Sequence, residues 1–168
     1  MQKKRPQFAF FNGKIVPIAD AKISIMTQVV NYGIGAFGGI HAYWNNEKRQ
    51  LYVFRIDDHM RRLLNSYKLF NAIPQHSIDD LRDIVLRLLR REAYREDAYI
   101  RPLIYSSTED ITPRLYDVSF AFAMFTRPFG DYLPTKGVRA CVSSWRRLDD
   151  NTIPSRGKIT GGYVNSAL

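Results

Sequence analysis

Short apolar runs alternate with polar turns along this chain, and two longer segments replace that rhythm with helical spacing. Phe8 to Phe11, then Asn12-Gly13, then Lys14-Ile15-Val16 reads as a β-hairpin. Asn-Gly supplies the positive φ angles of a tight type I′ turn. Ile40 to Trp44 and Leu51 to Phe54 read as two more strands around a polar turn at 45–48. Met60, Leu63, Leu64, Tyr67 and Phe70 then recur at helical spacing, with Asp57 as the expected N-cap and Pro74 as the stop. Ser77, with Asp80 at the third helical position, forms a capping-box variant. It opens a second helix with Ile78, Leu81, Ile84, Val85, Leu88 and Leu89 on one face. Ala98 to Tyr105, Val118 to Phe125 and Val138 to Ser144 return to β-rich apolar runs between polar, proline-bearing loops.

Two adjacent helices among about seven strands predict an α+β fold. The expected architecture is a mixed, largely antiparallel sheet with both helices packed on one face. The length of 168 residues suits one domain with a sizeable core. Asp149 to Gly157 reads as a linker leaving that domain. No repeat and no low-complexity segment interrupts the pattern.

The net charge of +9 raises the question of nucleic-acid binding. Much of the charge, however, lies in Arg82, Arg87, Arg90, Arg91 and Arg95, which form the wet face of the second helix. No nucleic-acid-binding signature accompanies it, so no nucleic-acid partner is expected. No apolar run approaches the roughly eighteen residues of a membrane helix, so no membrane partner is expected either. The basic N-terminus lacks the apolar core of a signal peptide. Cys141 is the single cysteine, which excludes intrachain disulfides and makes a cytoplasmic location the expectation.

Gly33-Ile-Gly35-Ala-Phe-Gly38 fits the dinucleotide pattern G-x-G-x-x-G, and Asp57 follows about twenty residues on. The context fails, because the glycines should open a helix and Ile40 to Trp44 reads as strand. Close backbone approach or a tight bend explains these glycines better. His41, His59 and His76 show no paired ligand spacing, so no metal site is expected. Ser143-Ser144 has neither a nucleophile elbow nor obvious triad partners.

Lys158 stands out by its company. Gly157, Gly161 and Gly162 leave room beside it for a bulky planar ligand, and Tyr163 places a hydroxyl five positions on. A primary amine is the side chain that holds pyridoxal phosphate (PLP) as a Schiff base. Burial would favour the neutral amine that such exchange needs.

Several segments, in order, resemble the fold-type IV PLP-dependent aminotransferases, and within them the branched-chain amino-acid aminotransferases. They are Phe11-Asn12-Gly13, Asn31-Tyr32-Gly33 through Phe37-Gly38-Gly39-Ile40, and Phe54-Arg55 through Leu63. Ala98-Tyr99-Ile100-Arg101-Pro102-Leu103, Ser144-Trp145-Arg146 and Asn151-Thr152-Ile153-Pro154 before Lys158 complete the set. The resemblance covers the chain from about Phe10 onward. It implies amino-group transfer between branched-chain amino acids and 2-oxoglutarate. It also implies PLP as cofactor, amino and keto acids as small-molecule partners, and a homodimer or higher homo-oligomer.

Carried over by position, Lys158 would hold PLP, Arg55 would bind its phosphate and Tyr163 would hydrogen-bond its phenolic oxygen. Tyr32, Phe37, Tyr99 and Tyr132 would line the substrate pocket. Arg101, at the rim, would meet the side-chain carboxylate of glutamate. Plainer readings stay open. Arg55 would serve equally as a partner for Asp57 or Asp58. Tyr99 and Arg101 share one strand face, which would also suit the wet side of a sheet. Tyr32 and Phe37 would suit a core.

The resemblance departs at Gly38, where the family usually carries glutamate, and at Phe129, where tryptophan is common. It makes residues 1–148 the small N-terminal domain, and 149–168 the linker and start of the PLP-binding large domain. On that expectation the chain is a fragment of the enzyme. Alternatives are a D-amino-acid aminotransferase or aminodeoxychorismate lyase of the same fold, or a non-catalytic module derived from the N-terminal domain.

Overall fold

A computed structural model describes residues 5–130 and 136–168. Asn12 and Gly13 take φ angles of 49° and 78°, and they close β1 (Phe8–Phe11) onto β2 (Lys14–Pro17). The remaining strands are β3 (Gly35–Phe37), β4 (Ile40–Asn45), β5 (Gln50–Val53), β6 (Ala98–Ser106) and β7 (Phe120–Pro128). They form one sheet in the order β2-β1-β7-β6-β4-β5, with β3 also on β6. Each of these pairings is antiparallel.

The short helix α1 (Gln28–Tyr32) precedes β3 and had no counterpart in the sequence reading. It is fastened by buried Gln28, whose Nε2 donates to the Thr112 carbonyl and whose Oε1 accepts from Ser106. The longer helices α2 (Ile56–Lys68) and α3 (Ile78–Glu92) cover one face of the sheet, as the apolar spacing predicts. Met60, Leu63 and Tyr67 of α2 join Leu81, Val85 and Leu88 of α3 and Ile100, Ile104, Phe122 and Met124 of the sheet in one buried cluster. Strand alternation therefore turns Tyr99, Arg101, Leu103, Ala123, Phe125 and Arg127 to the opposite, helix-free face. The site described below is built on that face.

β3 and β4 are two halves of one bent strand along β6. Phe37 pairs with Leu103 and Ile40 with Ile100. Between them the Gly38 N–H donates to the Pro102 carbonyl at 2.8 Å. Pro102 has no N–H, so the ladder cannot continue regularly past it. A Cβ on Gly38 would lie 2.7 Å from the Pro102 ring, and one on Gly39 would lie 2.0 Å from the Tyr99 hydroxyl. The glycine cluster serves close approach, with no nucleotide loop.

The capping box at Ser77 and Asp80 forms in full. Three other local expectations are corrected. Asp57 does not cap α2; Arg55 precedes the helix with φ 47°, and Asp57 accepts from Arg82 Nε and Nη2 at 2.7 and 2.6 Å, tying α2 to α3. α2 ends well before Pro74, because Asn71 takes a positive φ of 53° and the Ala72 N–H returns to the Tyr67 carbonyl, a Schellman-type stop. Val138 to Ser144 is not a strand, and its residues are exposed. A strand requires a partner, and among the described residues no strand lies beside it.

The carboxylate of Glu92, at the end of α3, was also not foreseen. It accepts the backbone N–H groups of Gln7 and Phe8 and so fixes the start of β1. Among the described residues no helix is long and apolar enough to cross a membrane.

Candidate active site

Lys158 reaches the sheet through its backbone. Its carbonyl accepts the Phe37 N–H at 3.0 Å, and the Thr160 N–H donates to the Gly35 carbonyl at 2.8 Å. Ala36 and Ile159 form an antiparallel bridge between these bonds. The segment thus covers the edge of β3 that β6 leaves free, and Ile159 buries its side chain in the core cluster. Gly33 makes the approach possible: a Cβ there would lie 2.7 Å from the Gly161 Cα. Upstream, Asp149 and Asp150 fold the expected linker into a turn. The Asp149 carbonyl accepts from Thr152 and Ile153, and the Asp150 carboxylate accepts from the Ser155 N–H.

This pairing presents the Lys158 amine to a cavity of about 820 Å³ lined by the helix-free face of the sheet and by Arg62 of α2, where Phe37, Tyr99, Arg101 and Tyr163 also lie. Lys158 Nζ donates to the Tyr163 hydroxyl at 2.5 Å. It lies 4.8 Å from the centre of the Phe37 ring and 4.7 Å from that of Tyr163. The Arg101 guanidinium lies 4.4 Å from the centre of the same Phe37 ring and donates to the Tyr99 hydroxyl at 3.0 Å. Leu103, Phe125 and Phe129 supply apolar wall, and Arg62 and Arg127 add cations. Among the described residues no Asp or Glu lines this cavity. A second cavity of about 480 Å³ also meets Lys158, lined by Arg62, Arg147, Arg156 and Gly162 among others. An amine, a phenol and several guanidinium groups with no acid among them make a receptor for a multiply anionic ligand.

A sequence model of the amino-transferase class IV family matches residues 36–168. The chain belongs to the class IV aminotransferases. It is 50% identical over 162 residues to a probable branched-chain-amino-acid aminotransferase of Aquifex aeolicus, covering 96% of this chain and 52% of that protein. The branched-chain aminotransferase of the archaeon Thermoproteus uzoniensis, solved with norvaline, superposes with a TM-score of 0.91 at 39% identity, covering 97% of this chain and 54% of that one. The branched-chain amino acid aminotransferase of Thermobaculum terrenum, solved in its PLP form, gives a TM-score of 0.86 at 30% identity, covering 97% of this chain and 53% of that one. The chain spans about half the length of the curated relatives it matches.

Within this class IV fold, Lys158, Tyr163, Phe37, Tyr99 and Arg101 meet around one cavity. Lys158 is half-buried, less enclosed than a buried amine would be. Two other expected residues lie elsewhere. Arg55 lines neither cavity and pairs with Asp58 at 2.6 Å. Tyr32 ends α1, and its hydroxyl donates to the Ile111 carbonyl, away from both cavities. Tyr132 lies outside the described residues. The sequence reading missed Arg62, which lines both cavities, and His41 and Arg127, which line the larger one. The available signals were weak. Arg62 flanks the apolar stripe of α2 beside Leu63, and Arg127 continues the alternation Ala121, Ala123, Phe125 along β7.

Proposed function

We propose that this chain carries the Lys158 side of a PLP-dependent aminotransferase that moves an amino group between branched-chain amino acids and 2-oxoglutarate. The observation that supports this most is the convergence of Lys158 and Tyr163, on one segment, with Arg101 and Tyr99, on β6, around a cavity that no acidic side chain lines among the described residues.

The residues present fit PLP. The Lys158 amine would take its aldehyde, and the Tyr163 hydroxyl, already bonded to that amine, would take its phenolic oxygen. Arg62, at the junction of the two cavities, would meet the phosphate in place of Arg55. When bound, PLP supplies an aldehyde for the substrate amine and a ring that takes up electrons from the α-carbon.

The chain's own residues do the rest. Lys158 Nζ takes the proton from the substrate α-carbon and holds it for return. Tyr163 keeps that amine pointed into the cavity. The Phe37, Leu103, Phe125 and Phe129 side chains exclude water and match an aliphatic side chain. Arg101 accommodates a carboxylate on the alternative substrate, with the Tyr99 hydroxyl fixing its plane.

Ile25, Met26, Val30, Ile111 and Tyr116 expose large apolar side chains, as does Tyr32, whose hydroxyl bonds the Ile111 carbonyl, which supports a homo-oligomer with Tyr32 at the contact. The free, exposed Cys141 accords with a reducing, cytoplasmic setting. Borohydride reduction of the PLP-loaded protein, followed by peptide mass mapping, tests the central claim. The PLP mass is expected on Lys158, and an unmodified Lys158 rejects the reading.

A further inference from the structure

The amino-transfer reading leaves Arg127 without a task. Arg127 pairs across the sheet with Tyr99, and Phe125 pairs with Arg101. The two arginines are therefore diagonal neighbours on the helix-free face, about 7–8 Å apart along the backbone surface. Both line the cavity that holds Lys158. In both, Nε is buried and has no hydrogen-bond partner. Among the described residues no carboxylate pairs with either guanidinium.

Aromatic rings cover these cations without satisfying them. Arg101 lies over Phe37 and Tyr99, and Arg127 lies 5.7 Å from the centre of the Phe129 ring. A ring face attracts the charge, but the guanidinium N–H donors lie in their own plane and still want acceptors. A carboxylate offers two oxygens with about four acceptor positions. One guanidinium fork fills only half of them.

We propose that Arg127 and Arg101 form a two-guanidinium clamp on the distal carboxylate of a dicarboxylic amino or keto acid. Arg127 is thereby a specificity-determining residue of the site, and the dicarboxylic substrate binds more tightly than the aliphatic one. An aliphatic side chain in the same place leaves both cations without a counter-charge. This inference rests on the cavity being the substrate site proposed above.

The test uses glutarate as the dicarboxylate probe and 4-methylpentanoate as the monocarboxylate probe. Binding of each is measured by calorimetry to the unaltered protein and to the Arg127→Phe and Arg127→Gln variants. Either variant is expected to weaken glutarate binding about tenfold or more. Binding of 4-methylpentanoate should hold or improve, and Arg127→Lys should recover part of the glutarate affinity. Equal losses for the two acids would mean that Arg127 holds the carboxylate they share, and would overturn the clamp. Unchanged glutarate binding in the variants, or no glutarate binding by the unaltered protein, would also overturn it. The borohydride tag is scored separately. An untagged Lys158 with intact glutarate selectivity rejects the PLP reading alone, and a tagged Lys158 without selectivity rejects the clamp alone.

Discussion

Phe37 holds Lys158 at both ends: its backbone N–H donates to the Lys158 carbonyl at 3.0 Å, and its ring centre lies 4.8 Å from the Lys158 amine. One residue of β3 thus fixes where the lysine enters the sheet and where its side chain ends. The same ring carries Arg101 at 4.4 Å, so two cations are spaced around a single aromatic side chain.

The edge pairing depends on Gly33. It has φ 66°, and any Cβ would press on the Gly161 backbone. Gly33→Ala is expected to cost at least about 1–2 kcal/mol from the left-handed backbone alone. It should also loosen the Lys158 segment. Hydrogen exchange checks this: the Phe37 and Thr160 amides should lose protection while those of β6 and β7 keep theirs.

Arg62 and Arg55 separate by substitution. Arg62→Ala is expected to weaken PLP binding about tenfold or more, the loss of a guanidinium–phosphate pair. Arg55→Ala should leave PLP binding unchanged and alter stability by less than about 1 kcal/mol, since its pair with Asp58 is exposed. Spectroscopic titration with PLP distinguishes the two, and the reverse order would return the phosphate role to Arg55.

Glu92 is a structural carboxylate remote from the cavities that flank Lys158. Glu92→Ala leaves the Gln7 and Phe8 N–H groups without their acceptor. A loss of about 1.5–3 kcal/mol is expected from removing hydrogen bonds to a charged group. Denaturant unfolding measures it, and affinity for glutarate should not change.

Acid stability follows from the helix carboxylates. Arg82 holds Asp57 below its ordinary value of 3.8, Arg55 does the same for Asp58, and the Ser77 hydroxyl does so for Asp80. A depressed folded value means the unfolded chain binds the proton first. Their stabilisation is present above the ordinary value of 3.8 and is lost as pH falls below it. Asp57→Asn should flatten the decline of melting temperature in that window.

At the alkaline end the sign reverses. Burial pushes the Tyr67 phenol from 10.0 up to about 12. A raised folded value means the unfolded chain gives up its proton first. The contribution of Tyr67 is present below pH 10 and is lost as pH rises from there toward 12. Tyr67→Phe should remove that part of the alkaline decline in melting temperature.

Features set within a few residues were legible in the chain. Asn12-Gly13 announced its turn, and Ser77 with Asp80 announced its cap, because both are closed by bonds between near neighbours. The alternation of Tyr99, Arg101 and Leu103 gave a shared face. It could not say what that face meets, since the cavity there is completed by Lys158 and Tyr163 far along the chain. That Arg62 lines both cavities and Arg55 neither was hidden for a related reason. Both stand in one arginine-bearing segment, and only the tertiary structure brings Arg62 to the cavities and leaves Arg55 outside them. The glycines were readable as close approaches, but Pro102, Tyr99 and Gly161 had to be in place before it was clear what they approached.

The amino-acid order by itself determined the two long helices, the hairpin, the alternation of the central strands and the presence of one lysine in small-residue company. These follow from steric and hydrogen-bonding preferences acting within one turn or one strand. Tertiary structure decided that Lys158 lies against the free edge of β3, that Val138 to Ser144 stays unpaired, and that Arg127 joins Arg101. Those outcomes depend on backbone pairings between distant segments, whose register is fixed only when the whole buried face is assembled at once.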